Sequence, residues 1–217
     1  MIERPAEVDA TAASLAGRII DAAGQQNRFI AAVAGPPGSG KSTLADAVAE
    51  ALNAQTDMDC ATVFPMDGYH FDDVILHARG DRLRKGAPFT FDVEGYRHTL
   101  MRLRDAQSGD VAVPVFDRSL ELSRGSARLI TPQNRFIISE GNYLLLNQEP
   151  WNGLAPMFNL TVSIVESEAE LSRRLHARWV HYGLSPAEID DKMDGNEMPN
   201  VRLVLNNSRE ADVVVGG

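Results

Sequence analysis

The residues of this chain with the most recognisable chemistry form a glycine-rich loop that ends in a lysine and a serine. They are Gly35, Pro36, Pro37, Gly38, Ser39, Gly40, Lys41 and Ser42, which fit the pattern G-x-x-x-x-G-K-[S/T]. Glycine adopts backbone angles that are closed to other residues, so successive N–H groups of this phosphate loop can point at phosphate oxygens. The pattern predicts a binding site for a nucleoside triphosphate, either ATP or GTP.

The sequence around the loop adds charge and a metal ligand. Lys41 places a positive charge near the β- and γ-phosphates, and Ser42 offers its hydroxyl to Mg²⁺. An apolar run precedes the loop and a helix-forming run begins at Lys41, so the positive end of the helix dipole also faces the phosphates. Thr43, the next residue on that helix, is included among the nucleotide-binding residues.

Two carboxylates follow other apolar segments. Asp67 stands in VFPMDGYHF and Glu140 in FIISEGNYLL, and each is followed by a glycine that lets the chain turn away. Ligands of parallel sheets collect at the carboxyl ends of the strands, which is where these acids are predicted to lie. Asp67 is placed to orient or deprotonate a hydroxyl, and Glu140 to hold Mg²⁺ directly or through water. The roles could be exchanged, and a turn residue is the alternative for Asp67.

Alternating strands and helices must position these groups. Short apolar segments without alternation predict buried strands at residues 29–34, 61–65, 135–139, 160–165 and 212–215. Helical patterns occupy residues 8–23, 41–53, 93–106, 168–181 and 186–192. This alternation predicts an α/β fold in three layers with a parallel sheet. Residues 111–130 interrupt this alternation, and their pattern predicts a small antiparallel pair of strands.

Five segments together resemble a known family. The phosphate loop, FPMDGYHFDD, VPVFDRS, SEGNYLL and an arginine-bearing helix occur in this order. Between residues 29 and 215, roughly, the chain resembles the P-loop kinases that include uridine kinase, phosphoribulokinase and bacterial pantothenate kinase. It is most similar to a bacterial branch labelled as fructose transport system kinases.

The resemblance implies an architecture and roles for the two acids. It implies one P-loop kinase domain over residues 1–217, with the P-loop NTPase fold and a mainly parallel five-stranded sheet. It also implies a substrate-side insertion at about 111–130 and a helical lid at about 168–195. By the same resemblance Asp67 is the base for the acceptor, and Glu140 contributes to the metal and acceptor site.

Other residues are predicted to contact the acceptor. The resemblance points to Asp117 and Arg124 in PVFDRSLELSR, although this stretch lacks the histidine of uridine kinase, which weakens the case for a nucleoside. Asp117 is also a natural turn residue. Tyr69 and His70 follow Asp67, and Tyr143 follows Glu140, closely enough to line an acceptor pocket.

The helix at 168–181 carries a row of arginines. Apolar residues recur at every fourth position and predict a buried stripe, with Arg174 and Arg178 on a neighbouring stripe. In the kinase family a comparable helix begins a lid whose arginines neutralise charge on the transferred phosphoryl, because the guanidinium fork matches phosphate oxygens. The alternative is that Glu170 pairs with Arg173 and Arg174 on an exposed face.

The segment 79–89 is polar and contains Arg79, Arg82, Arg84 and Lys85, offset by Asp81. We interpret it as a solvated surface loop. The alternative is that it grips a phosphorylated acceptor.

The net charge, the cysteine count and the lack of long apolar runs argue against several classes of protein. A net charge of −9 over 217 residues argues against a nucleic-acid partner, because phosphate backbones would be repelled. One cysteine cannot form an internal disulfide, which suits a reducing compartment. The charged N-terminus and the lack of any long apolar run predict a cytoplasmic protein without a membrane partner. The sequence leaves the oligomeric state open, including a homodimer.

Together these features predict a kinase that uses ATP and Mg²⁺ and phosphorylates an alcohol group of a small metabolite. A sugar such as fructose rests on the family label alone. A uridine-like nucleoside and pantothenate are the alternative acceptors. A regulatory P-loop NTPase without a small-molecule acceptor is the alternative of another class.

Overall fold

A sheet of five parallel strands forms the centre of the structure, with strand order β2-β5-β1-β6-β7. The structure is a computed structural model that describes residues 4–105 and 107–216. The sheet strands are β1 (Phe29–Ala34), β2 (Ala61–Pro65), β5 (Phe136–Gly141), β6 (Leu160–Ile164) and β7 (Val213–Val215). A separate antiparallel pair is formed by β3 (Val111–Asp117) and β4 (Leu122–Ile130). The predicted sheet and insertion are confirmed.

Helices cover both faces of the sheet. They are α1 (Ala6–Ala23), α2 (Lys41–Thr56), α3 (Asp73–Arg79), α4 (Val93–Arg104), α5 (Glu168–His181), α6 (Pro186–Lys192) and α7 (Met198–Asn207). A π-helical turn, Met193–Glu197, joins α6 to α7 and is called the π segment below. Within residues 4–105 and 107–216, no helix combines the length and the apolar character that a membrane crossing requires.

The sequence of β1 explains the layers. All six of its residues are buried, and successive side chains of a strand point to opposite faces. Ala31 and Val33 pack with α1 and α2 on one face, whereas Ile30 and Ala32 pack with α4 on the other. A third apolar cluster joins α5 to α6 and α7, and Leu171 and Leu175 lie at its centre. The predicted three-layer arrangement is therefore confirmed, with the α5–α7 layer added at one end.

Some boundaries differ from the predicted ones. Strand β5 continues to Gly141, so Glu140 lies inside the strand rather than after it. Helix α3 occupies a segment for which no helix was predicted, and its start is fixed by Asp72, whose side chain accepts a hydrogen bond from Val74 N. The predicted helix at 93–106 ends at Arg104, and its last predicted residue lies outside the described residues.

The antiparallel pair packs against the carboxyl edge of the sheet. Val111 and Val113 of β3 and Ile130 of β4 are buried in this contact. Any side chain on Gly68 would overlap the carbonyl of Pro114, so a glycine is required where the pair crosses the turn after β2. This packing carries the turn between β3 and β4 over the end of β2.

Candidate active site

A cavity of about 490 Å³ lies at the carboxyl edge of the sheet. The parts of the chain that line it are the phosphate loop, the turn after β2, the loop at 82–86, the tip of the β3–β4 pair, Asn142 after β5, and the layer of α5, α6, the π segment and α7. The carboxyl ends of parallel strands share one edge, which explains why groups distant in sequence meet there. The cavity therefore contains the predicted phosphate site and a second wall opposite it.

The phosphate loop has the backbone that a phosphate cradle needs. Gly38 and Gly40 have φ angles of 83° and 85°, which side chains disfavour. The hydroxyl of Ser39 is buried and makes no hydrogen bond within the described chain, so it is left for a ligand. Burial lowers the pKa of Lys41, and the charges of Glu140 and Asp67 partly oppose this shift. Burial of the Lys41 ammonium without a partner is costly, so an anionic ligand beside it would be favourable.

Ser42 and Glu140 form an oxygen-rich corner beside the loop. Ser42 Oγ donates to Glu140 Oε2 at 3.1 Å. Burial, together with the charge of Asp67, raises the pKa of Glu140 to about 7, against the opposing effect of Lys41. In the part of the chain that the structure describes, no three acidic, histidine or cysteine side chains group closely enough to hold a metal by themselves. Mg²⁺ commonly binds through one or two carboxylates plus substrate phosphates, and this corner fits that pattern.

Asp67 lies in a 3₁₀ turn, Met66–Tyr69, directly after β2. Its Oδ2 accepts a hydrogen bond from Arg118 Nη2 at 3.1 Å, across the cavity mouth. A 3₁₀ turn has three residues, so His70 shares the face of Asp67. The His70 Nδ1–H donates to the Asp67 carbonyl at 2.8 Å. Both side chains line the cavity.

The His70 ring is fixed between two phenylalanines, with centroid distances of 4.0 Å to Phe91 and 4.7 Å to Phe116. Burial lowers the pKa of His70, although the charge and carbonyl of Asp67 oppose the shift. A neutral ring whose Nδ1 is already bonded leaves Nε2 as a hydrogen-bond acceptor. His70 is therefore placed to receive a donor from a molecule in the cavity.

On α5 only one of the two predicted lid arginines reaches the cavity. Arg178 lines it and makes no ion pair within residues 4–105 and 107–216. Arg174 instead bonds Glu166 at 2.9 Å and Glu170 at 2.7 Å. Arg173 also pairs with Glu170. The prediction for Arg174 is corrected, because nearby acids hold its guanidinium on the helix surface.

No protein-family model matches the chain. A fission yeast (Schizosaccharomyces pombe) protein provisionally named a uridine kinase is 29% identical over 207 residues, covering 93% of this chain and 88% of that protein. An ATP-dependent kinase-like protein of Aspergillus versicolor is 34% identical over 162 residues, 70% of this chain and 94% of that one. A Silicibacter crystal structure, provisionally named a fructose transport system kinase, is 35% identical and has a TM-score of 0.87. It covers 94% of this chain and 98% of that one.

Identity above 30% over nearly all of a relative, together with the phosphate loop in its strand-to-helix setting, decides the family. The chain belongs to the P-loop kinases.

Two aromatic residues of this P-loop kinase do not reach the cavity. Tyr69 points away from Asp67 into the core, where its hydroxyl donates to Thr99 at 2.6 Å. Tyr143 is fully buried and donates to the carbonyl of Gly86 at 2.6 Å. The predicted acceptor contacts of both residues are corrected, because their hydroxyls are used to pack the wall behind the cavity.

The acceptor residues predicted on the β3–β4 pair are also corrected. Asp117 accepts hydrogen bonds from Ser119 and, at 3.3 Å, from Arg124, so these two residues close the turn rather than line the cavity. The ordinary role of an aspartate in a turn explains this arrangement. The kinase instead presents Arg118, the residue after Asp117, to the cavity.

The basic segment at 79–89 is only partly a solvated loop. The Lys85 side chain is 6% exposed, and its Nζ lies 2.6 Å from Asp73 Oδ1. Arg82 Nε lies 2.6 Å from the other oxygen of Asp73. Both basic residues line the cavity. The solvated interpretation is therefore corrected for these two residues of the kinase, and each already has an acidic partner.

Several cavity residues were not predicted from the sequence, and these are Asn142, Trp179, Lys192, Asn196, Glu197 and Asn200. Asn196 and Asn200 are 7% and 3% exposed. Asparagine is uncommon in protein cores, so two of them among the apolar positions of a helical segment are a usable signal. Asn196 contacts the loop at 82–86, which is distant in sequence, and Asn200 donates to Asn196, so no local pattern indicates these contacts.

Proposed function

We propose that this protein is an ATP-dependent kinase that transfers the γ-phosphoryl of Mg-ATP to a hydroxyl of a small metabolite. One observation carries the proposal: the phosphate loop and Asp67 open into the same cavity, opposite a wall of polar side chains. A site that only hydrolyses nucleotide needs a water pocket, whereas this cavity extends from the phosphate loop to a second wall of polar side chains that can contact an acceptor.

The names of similar proteins support ATP and a kinase but disagree on the acceptor. The Aspergillus relative is named as ATP-dependent, the fission yeast relative as a uridine kinase, and the Silicibacter protein as a fructose transport system kinase. The acceptor therefore stays open among a sugar, a nucleoside and pantothenate.

The residues of the chain have separate tasks in the reaction. The phosphate-loop amides and Lys41 bind the triphosphate, and Ser42 with Glu140 would hold Mg²⁺, which offsets phosphate charge when bound. Asp67 orients the acceptor hydroxyl and takes its proton as the oxygen bonds to the γ-phosphorus. The bond from that phosphorus to the β–γ bridging oxygen breaks, and ADP leaves. The rate enhancement comes from the positioning of the two reactants and from the stabilisation of charge in the transition state.

The experiment is an ADP-release assay with Mg-ATP and fructose, uridine, cytidine, pantothenate, glycerate or ribulose 5-phosphate. We expect at least one compound to raise ADP release well above the rate without acceptor and to yield a phosphorylated product by mass spectrometry. ADP release that no compound changes would favour the alternative of a regulatory P-loop NTPase.

Arg174 and Arg178 of α5 offer a matched comparison. We expect Arg178→Ala to lower kcat by about 10- to 100-fold, because a charged hydrogen bond to the transferring phosphoryl is lost. Arg174→Ala removes the same side chain one helical turn away, where it pairs with Glu166 and Glu170, and should change kcat less than about threefold. Equal losses in steady-state kcat for the two variants would contradict the assignment.

A further inference from the structure

Two side chains that line the cavity carry oxygen atoms without a hydrogen-bond donor among residues 4–105 and 107–216. Asn142 Oδ1 is buried and receives no hydrogen bond from residues 4–105 or 107–216. Glu197, half-buried in the π segment, has no cation within 4 Å among the same residues. Burial raises the pKa of Glu197, and the charges of Arg178 and Lys192 oppose this shift. The neighbouring Trp179 Nε1 also favours the charged carboxylate, but its geometry makes no hydrogen bond. Buried acceptors without donors are costly, so each is a position where a ligand donor would be favourable.

Most basic groups on the same side of the cavity already have acidic partners. Asp73 binds both Arg82 and Lys85, and Asp67 binds Arg118. The Lys192 ammonium lies 4.3 Å from the centroid of the Trp179 ring, a cation–π contact. The remaining cations, Lys41 and Arg178, are assigned to the triphosphate in the proposed function.

Buried amides fix the position of the π segment. Asn196 Nδ2 donates to the Lys85 carbonyl at 2.8 Å, and its Oδ1 accepts from Arg84 at 3.2 Å. Asn200 Nδ2 donates to the same Oδ1 at 3.2 Å. A π-helical turn is rare and is often found at functional sites. Here the amide network holds the turn against the 82–86 loop, and Glu197 lines the cavity beside it.

We infer that the acceptor is an uncharged, hydroxyl-rich molecule whose O–H groups donate to Asn142 Oδ1 and the Glu197 carboxylate. This inference rests on the proposed kinase function. Such a molecule satisfies both acceptors and His70 Nε2 without disturbing the ion pairs. An anionic acceptor would meet Asp67 and Glu197, and would have to take Arg118 or Lys85 from its acidic partner or Lys192 from the Trp179 ring. Asn196 and Asn200 are positioning residues for Glu197.

Pairs of acceptors that differ mainly in charge test the substrate class. Mg-ATP turnover is compared for glycerol and glycerate, fructose and gluconate, and ribulose and ribulose 5-phosphate, with uridine as an uncharged nucleoside. We expect kcat/KM to be at least about tenfold higher for the uncharged member of any pair that reacts, or turnover of uridine alone. A preference for an anionic member would overturn the inference while leaving the kinase function intact. If no compound reacts, both the inference and the proposed function fail.

Variants of the two acceptor groups test the residues. With the best uncharged compound, we expect Asn142→Ala and Glu197→Gln each to raise its KM by about tenfold, while the KM for ATP changes less than about twofold. Asp194→Asn, an exposed acid in the same π segment, and Asn147→Ala, an exposed asparagine after β5, are the matched controls and should change neither constant. An unchanged acceptor KM in both test variants, or an equal rise in the KM for ATP, would overturn the assignment.

Discussion

Replacement of Asp67 by Asn is expected to lower acceptor-dependent kcat by about 10²- to 10⁴-fold, the usual range for loss of general acid–base catalysis. The amide keeps the size of the side chain and still accepts a hydrogen bond from Arg118, but it cannot take the proton of the acceptor hydroxyl. The Kd for ATP should change less than about threefold, because the triphosphate is bound by the phosphate loop and Lys41. Acceptor-dependent turnover and nucleotide titration by fluorescence or calorimetry measure the two effects separately.

A second variant separates the lost base from the lost ion pair. Arg118→Ala removes the partner at 3.1 Å and leaves the carboxylate in place. We expect this variant to change kcat by less than about tenfold, because the Arg118 side chain is 62% exposed and such pairs contribute little. If Asp67→Asn retained normal turnover, or if Arg118→Ala lost as much, Asp67 would not be the base.

The parts of the fold that the sequence predicts are those with local causes. The phosphate loop follows from its glycines and lysine, and β1 follows from a short unbroken apolar run that is typical of a strand covered on both faces. Asp67 and Glu140 could be placed because parallel strands bring their carboxyl ends to one edge. None of these predictions needs knowledge of which distant segment packs on which.

The remaining site residues depend on side-chain direction and distant contacts. Asp67 and His70 are three residues apart in a 3₁₀ turn and share a face, so Tyr69 between them points into the core. Arg174 and Arg178 lie on one side of α5. The guanidinium of Arg174 stays outside the cavity because it pairs with Glu166 and Glu170. The turn geometry was accessible from the sequence in principle, whereas the position of the Arg174 guanidinium depends on the rotamers of Arg174, Glu166 and Glu170.

The cavity places three carboxylates, Asp67, Glu140 and Glu197, close to a single phosphate site. Burial raises the pKa of Glu140 and of Glu197, which means that their charged forms are disfavoured without a ligand. Each has a different expected partner: the acceptor proton for Asp67, Mg²⁺ for Glu140 and an acceptor hydroxyl for Glu197. The ligand-free protein therefore retains unfavourable charge that the bound substrates would offset, at a cost to its stability.

That cost can be measured at Glu140. Its pKa is raised from 4.5 to about 7 in the folded chain, so the folded state holds this proton more tightly than the unfolded state. The stability contributed by the protonated form is complete below pH 4.5 and is lost as the pH rises to about 7. A shift of this size corresponds to roughly 3 kcal/mol in the free energy of unfolding. Gln is neutral throughout and can still accept the hydrogen bond from Ser42.

We therefore expect ligand-free Glu140→Gln to match the wild type at about pH 4.5 and to exceed it by about 3 kcal/mol at pH 8, as measured by urea denaturation. The Glu140 charge opposes the lowering of the Lys41 pKa, so the two groups titrate together and the difference in stability reports on the pair. Glu210→Gln, at an exposed position, should show no such pH dependence. Mg-ATP should stabilise the wild type more than the variant, because bound Mg²⁺ offsets the Glu140 charge, and the variant should lose most of its turnover. A stability difference that is the same at both pH values would show that the Glu140 carboxylate carries no burial penalty, and it would remove the argument that this corner is built for a cation.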